Sequence, residues 1–364
     1  MTIRLSWAQV LTWRLRRQFV ALADGPDAVA VARRLCGVQA QVASSAQLAV
    51  AVRSAAPDRG EIDRALWTDR TLVKTWLMRG TLHLVPADEL AGLCAALATL
   101  RFWEKGSWQR GHGVTAEEIA AVIEAVPEAL KGAPLTREEL VDAVVAVTGD
   151  VHLREALTSG WGALLKPLSR LGELCYGPPR EGKVTFTAPH AWVPGWPGRL
   201  PPFEEAGVGV ARAFLGAHGP ATPEMFDTWL FGGVARKAVL RGWFKELAPE
   251  LVEVTTDDGM VLYALAEHVD DLAATQPSDE VHLLPGFDQF ILGAPRSLAP
   301  LIPPPLKPKV SRQAGWISPV VVHEGRVAGV WEAKDGAITL DLAAPVPQAA
   351  LDRALTRMRA LLAL

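Results

Sequence analysis

Pro134-Leu135-Thr136-Arg137-Glu138 and Pro220-Ala221-Thr222-Pro223-Glu224 carry the same Pro-x-Thr-x-Glu spacing, and each falls between two helical stretches. Such punctuation marks helix starts. Thr136 with Glu139 is the pattern of a capping box, in which hydroxyl and carboxylate satisfy the orphan amides of the first turn. Thr222 is an N-cap with Pro223 preset at the first helical position, and Ser6 with Gln9 is a third start of the same kind. Helices are followed each time by a hairpin signal. Residues 74–85 (KTWLMRGTLHLV) alternate and are rich in strand formers. Leu174 to Gly177 and Lys183 to Thr187 flank a Gly/Pro turn, and the segment Leu251 to Leu265 flanks Asp257-Asp258-Gly259. Helices followed by a hairpin wing, three times, with wings roughly 80 to 100 residues apart, predict tandem winged-helix motifs.

The periodicity changes after Thr275 to Ser278. Val281 to Leu292, Ser318 to Val322, Ala328 to Trp331 and Ile338 to Leu342, with turns at Glu324-Gly325 and Asp335-Gly336, predict a small antiparallel sheet. A helix from Gln348 to Ala363 closes it. The Pro-rich run from Pro300 to Pro308 is too stiff and donor-poor for a central strand and is expected as a surface loop. The fold class is therefore α+β, mainly helical, with tandem winged-helix motifs and a small β-rich C-terminal region. Residues 1–110, 111–200 and 201–276 are the three winged helices, and 277–364 the C-terminal region.

Bulk properties remove several function classes. With 364 residues, 49% hydrophobic and 21% charged, the chain can bury a substantial core and is neither disordered nor a small stapled protein. Cys36, Cys94 and Cys175 are far apart and form no C-x-x-C pair, so neither a disulfide framework nor a zinc knuckle is expected. Arg4, Arg14, Arg16 and Arg17 interrupt the N-terminal apolar residues, and no uncharged 18-residue apolar run occurs. A cytoplasmic protein is expected. Eight scattered histidines show no H-E-x-x-H spacing, and no phosphate-binding glycine loop of the G-x-x-x-x-G-K type occurs, so no metal and no cofactor are expected. The net charge of -3 argues against an overall basic field, so any contact to nucleic acid must use local patches. Residues 1–20 hold four arginines and no acid. Residues 296–312 hold Arg296, Lys307, Lys309 and Arg312, again without an acid. Taken singly, either patch reads as a solvated face.

The chemistry centres on Leu35-Cys36-Gly37-Val38-Gln39-Ala40-Gln41. A helix over Asp27 to Cys36 is expected to end at Gly37, and the next to begin at Ser44 or Ser45. Gln39 and Gln41 then lie in a short connection, where extended backbone at i, i+2 points both amides the same way. Residues of this type in a helix connection otherwise cap backbone or face water. The segment G-V-Q-A-Q, followed by Arg79-Gly80-Thr81-Leu82-His83-Leu84-Val85, resembles the AlkZ/YcaQ winged-helix DNA glycosylases. The similarity extends to Gly172 to Gly177, Leu284-Pro285-Gly286-Phe287-Asp288 and Gly325 to Trp331.

That resemblance implies a Gln-x-Gln pair that places the hydrolytic water. Glutamine is a poor general base, but an N7-alkylated purine is already cationic and departs without an acid. Orienting water and stabilising positive charge then suffice. With no lysine in the motif, hydrolysis without strand cleavage is expected. The implied function is a DNA glycosylase removing bulky N7-alkylguanine adducts, and interstrand crosslinks are a further implied substrate class. The chain would act as a monomer on duplex DNA. A winged-helix transcription regulator and a non-catalytic drug- or damage-binding module are the alternatives.

Further candidates are contacts to DNA. Arg79 is a phosphate contact if the first wing faces DNA and otherwise a surface charge. His83 can reach phosphate or base, or be a hydrogen-bonded wing histidine. Lys307, Lys309 and Arg312 form the second basic patch, and Trp316 beside it is a groove-probing candidate. Phe102, Trp103 and Trp108 among Arg101, Lys105 and Arg110 admit a stacking role, with core burial the alternative. Asp288 is expected to be structural.

Overall fold

The computed structural model describes residues 3–20, 25–158 and 162–364. The fold is α+β and mainly helical, with small sheets. The chain forms two compact units, one of residues 1–62 with 211–364 and one of residues 63–210.

In the discontinuous unit, the Trp7–Arg17 helix starts at Ser6, whose hydroxyl accepts from the Gln9 amide while the Gln9 side chain accepts from the Ser6 amide. This is the capping box expected from sequence. The Pro223–Phe231 helix likewise starts at Thr222, which accepts from the Met225 amide. Leu251–Thr256 and Val261–Leu265 form the hairpin predicted around Gly259 (φ 84°). Its first strand also pairs in parallel with Ile3–Leu5, so the chain's beginning completes a sheet built by residues far downstream.

The C-terminal sheet has four antiparallel strands in sequence order: Val281–Leu284, Val320–His323, Arg326–Lys334 and Ala337–Leu342. Its two tight turns fall at the expected pairs, Glu324-Gly325 (φ 50° and 74°) and Asp335-Gly336 (φ 50° and 79°). Successive left-handed residues suit the strand twist. Gly325 is also held by packing, since a Cβ there would sit 2.4 Å from Leu11 Cβ on the Trp7–Arg17 helix. Gln348–Ala363 is the closing helix, with the bounds read from sequence.

Two local expectations change. The strand expected over Val281 to Leu292 stops at Leu284, because Asp288 caps a helical turn, Gln289–Leu292, by accepting from the Phe290 amide at 2.8 Å. The Pro-rich run is not a plain loop. It holds the turns Pro304–Leu306 and Lys307–Val310, which bury Leu306 and Val310 while the lysines stay exposed.

In the 63–210 unit, the hairpin Leu72–Trp76 with Leu82–Pro86 and the hairpin Cys175–Arg180 with Lys183–Thr187 stand where the turn residues placed them. Trp76 meets Tyr176 edge-on at 5.2 Å and stacks on Phe186 at 6.0 Å, which joins the two hairpins to one core. The helices Ala116–Ala129 and Arg137–Thr148 pack on that core through Val122, Val126, Leu140 and Val144. The latter carries the Thr136–Glu139 capping box. No described helix is long and apolar enough to cross a membrane.

Candidate functional site

The Ala28–Arg34 helix is capped by Asp27, which accepts from the Ala30 amide at 2.7 Å. It ends earlier than the glycine suggests. Cys36 takes the left-handed conformation (φ 56°), Gly37 follows at φ 109°, and the Gly37 amide donates back to the Ala32 carbonyl at 2.8 Å. This six-to-one closure satisfies the end of the helix and turns the chain into a short strand, Val38–Gln39. The next helix runs Ala43–Ala51, one residue ahead of the expected start, with no side-chain cap.

The two glutamines do not share an environment. Gln39 is 6% exposed, and its Oε1 is enclosed with no hydrogen-bond partner among the described residues. Gln41 is exposed. The strand ends at Gln39, and the chain bends at Gln41 and Val42 to enter the helix. A buried, unpartnered carbonyl costs about 1 to 3 kcal/mol.

Three distant segments converge beside this turn. A Cβ at Gly286 would lie 2.9 Å from the Ile317 carbonyl oxygen and 3.7 Å from Ser45 Oγ, so only glycine lets the Pro285-Gly286 loop pass between them. Asp288, two residues on, holds Arg53 at the far end of the same helix, at 2.7 and 2.8 Å, with both side chains fully buried. Asp288 is thus structural, as expected. Beyond Gly286, Ser311 and Ile317 bridge across a small loop whose residues Arg312 to Trp316 are all exposed. Trp316 is 45% exposed and meets Phe287 edge-on at 5.0 Å. Ser44, Gln47, Leu48 and Ala51, one face of the helix after Gln41, line a cavity of about 620 Å³ with Pro285 and Trp331.

The remaining candidates separate. Lys307 and Arg312 are exposed, while Lys309 reaches Asp341 at 2.6 Å. The N-terminal arginine patch divides: Arg4 and Arg16 are exposed, while Arg14 and Arg17 are engaged inside the protein. Arg14 is buried and donates to the Gly219 and Pro220 carbonyls at 3.2 and 2.7 Å, and Arg17 donates to the Gly216 carbonyl at 3.0 Å. These carbonyls end the Phe203–His218 helix, where cations are favoured.

Arg79 and His83 belong to the 63–210 unit. Arg79 sits at the hairpin turn with φ 55°. His83 is fully buried and its Nδ1 donates to the Thr81 carbonyl at 2.9 Å; burial, then the charge of Arg79, push its pKa down to about 3. It is a neutral, hydrogen-bonded hairpin histidine. Trp103 is core, whereas Phe102 and Trp108 are half-buried. Asp279, His323 and Glu324 bring potential ligand atoms within 4.8 Å of one another, a half-buried histidine between two exposed carboxylates that strand pairing, not sequence spacing, assembles.

The model of the family described as "DNA glycosylase AlkZ-like" matches residues 32–363. The chain belongs to the AlkZ-like DNA glycosylases, hydrolases of the N-glycosidic bonds of DNA. It is 46% identical over 333 residues, 92% of this chain and 89% of the other, to an interstrand DNA cross-link repair glycosylase of Streptomyces sahachiroi. It is also similar to the solved structure of the S. sahachiroi DNA glycosylase AlkZ, with a TM-score of 0.94 and 44% identity over 99% of this chain and 97% of that one.

Proposed function

We propose that Gln39 and Gln41 are the water-positioning residues of this glycosylase and that its substrates are bulky N7-alkylguanine adducts in duplex DNA, interstrand crosslinks among them. The observation that carries this reading is the enclosed, unpartnered Oε1 of Gln39, an acceptor held without a protein donor among the described residues, beside an exposed second amide. A water seated there would donate one hydrogen to an amide oxygen and turn a lone pair to the sugar carbon. The bond from the sugar carbon to the adduct would break as the water oxygen bonds to that carbon; the adduct, already cationic, would leave as a neutral base, and the proton shed by the water would pass to solvent. The cross-link substrate named for the S. sahachiroi relative supports the bulky-adduct class.

In this reading the three helix-then-hairpin segments are winged helices, and the chain works as a cytoplasmic monomer. The loop carrying Arg312 and Trp316, with Lys307 and Lys309 beside it, meets the DNA; Arg79 adds a phosphate contact from the second unit and His83 holds its hairpin turn. The test is release of N7-alkylguanine from alkylated duplex by the wild type, Gln39→Ala and Gln41→Ala, with folding followed by melting. Loss of at least about 100-fold in single-turnover rate in either variant, with melting preserved, supports the assignment. Equal rates in all three remove it.

A further inference from the structure

Arg170 ends a short helix, Lys166–Arg170, in the 63–210 unit. It is 4% exposed, and its Nε and Nη1 are enclosed without a hydrogen-bond partner among the described residues. Among those residues no carboxylate acts on it either, and burial alone draws its pKa down to about 10, so it is a cation at neutral pH. A buried guanidinium is ordinarily paired with an acid or with carbonyls, as Arg53 and Arg14 are in this protein. Arg170 has instead the ring of Phe102, 4.6 Å from its central carbon. The ring covers one face of the group and leaves the in-plane donors, of which Nη2 is not enclosed.

The surroundings add positive charge. Lys166, four residues earlier and so on the same helix face, is half-buried, and burial and then Arg170 lower its pKa. Lys166 in turn lowers the pKa of His112, after burial, and the His112 ring lies 4.4 Å from Trp108. Lys166 also runs beside the turn that carries Arg79, with Cδ 3.7 Å and Nζ 4.0 Å from where a Cβ on Gly80 would stand. Two cations thus share one helix face, with no acid among the described groups that act on them.

We propose that Lys166 and Arg170 form a seat for a phosphodiester group of the DNA backbone, with Phe102 as the platform beneath the guanidinium. The anion meets Nη2, the donor that is not enclosed, together with the Lys166 ammonium, and the cost of the unpaired cation is offset only in the complex. This rests on the chain's reading as a protein that binds duplex DNA, and it assigns to the second unit a contact that is not part of the Gln39 site.

The experiment is duplex binding by the full chain, followed by anisotropy across a series of salt concentrations, for the wild type, Arg170→Met and Lys166→Met. Melting is measured alongside, with and without inorganic phosphate. Each variant is expected to weaken binding about tenfold and to reduce the slope of log K against log salt by about 0.9, while Arg170→Met melts at the same or a higher temperature than the wild type. Unchanged slopes overturn the seat while leaving the glycosylase reading intact. A collapse of folding in Arg170→Met assigns the guanidinium to structure and also overturns it. Stabilisation by inorganic phosphate that Arg170→Met abolishes, with DNA slopes unchanged, identifies a free-anion site and overturns the DNA assignment. A wild type that does not bind duplex fails the functional reading, and the seat falls with it.

Discussion

Arg53 donates through Nη1 and Nη2 to the two carboxylate oxygens of Asp288, at 2.7 and 2.8 Å, with neither side chain exposed. Arg53 also donates to the Gln18 and Ala49 carbonyls, each at 2.8 Å, and Asp288 accepts from the Phe290 amide. Four of the five guanidinium N–H groups and both carboxylate oxygens are therefore used, and such near-complete pairing is the condition under which a buried pair survives. Removing one partner strands the other. Asp288→Ala is expected to cost about 3 to 5 kcal/mol of unfolding free energy, read from denaturant midpoints. Replacing both together, Arg53→Met with Asp288→Leu, is expected to recover much of that loss, and no recovery would show that the cost lies elsewhere.

Gln39 makes the opposite prediction for stability. Its enclosed carbonyl oxygen has no partner among the described residues, so Gln39→Leu removes a polar group whose burial opposes folding. The variant is expected to be as stable as the wild type or up to about 1 kcal/mol more stable, with base release lost. A substantially destabilised variant would mean that the amide is a packing element and would count against its role with water.

His83 sets a pH dependence. Its pKa is about 3 in the folded protein against 6.5 ordinarily, so below pH 6.5 the unfolded chain takes up a proton that the native state refuses. Stability from this group is complete above about pH 6.5 and declines as pH falls towards 3, at up to about 1.4 kcal/mol per unit. His282, pushed down to about 4 chiefly by burial, acts in the same direction over a narrower range. His83→Gln should flatten part of the acid limb in chemical denaturation at pH 4 to 7. An unaltered slope contradicts the neutral, buried state.

Trp316 is 45% exposed, on a loop of exposed residues, and packs edge-on against Phe287. Trp316→Ala is therefore expected to leave melting within a few degrees of the wild type while weakening duplex binding several-fold. Arg312→Ala should lower the salt slope by about 0.9. If both variants bind as the wild type does, this loop does not meet the DNA.

Gly325 combines φ 74° with a Cβ position 2.4 Å from Leu11 Cβ. Gly325→Ala must both strain the turn and push the hairpin from the Trp7–Arg17 helix. A loss of more than about 2 kcal/mol is expected, whereas Gly336→Ala, at φ 79° with open space around it, should cost about 1 kcal/mol. Equal effects would show that conformation alone, without packing, governs the site.

Features whose forces act over a few residues were legible in the order of the amino acids alone. Ser6, Thr136 and Thr222 start helices because their hydroxyls reach amides three positions on, and Glu324-Gly325 and Asp335-Gly336 turn because successive left-handed residues suit the twist of a hairpin. The resemblance to the AlkZ-like family was legible for the same reason, in short runs of residues whose order is the signal. Which polar groups are enclosed, and what partners they receive, came from the folded arrangement. It separated Gln39 from Gln41, engaged Arg14 with the Gly219 and Pro220 carbonyls, neutralised His83, and left Arg170 over Phe102 with no acid among the described groups acting on it. Burial and pairing depend on segments hundreds of residues apart, and no local pattern around an arginine or a glutamine records whether a carboxylate will arrive from the other end of the chain.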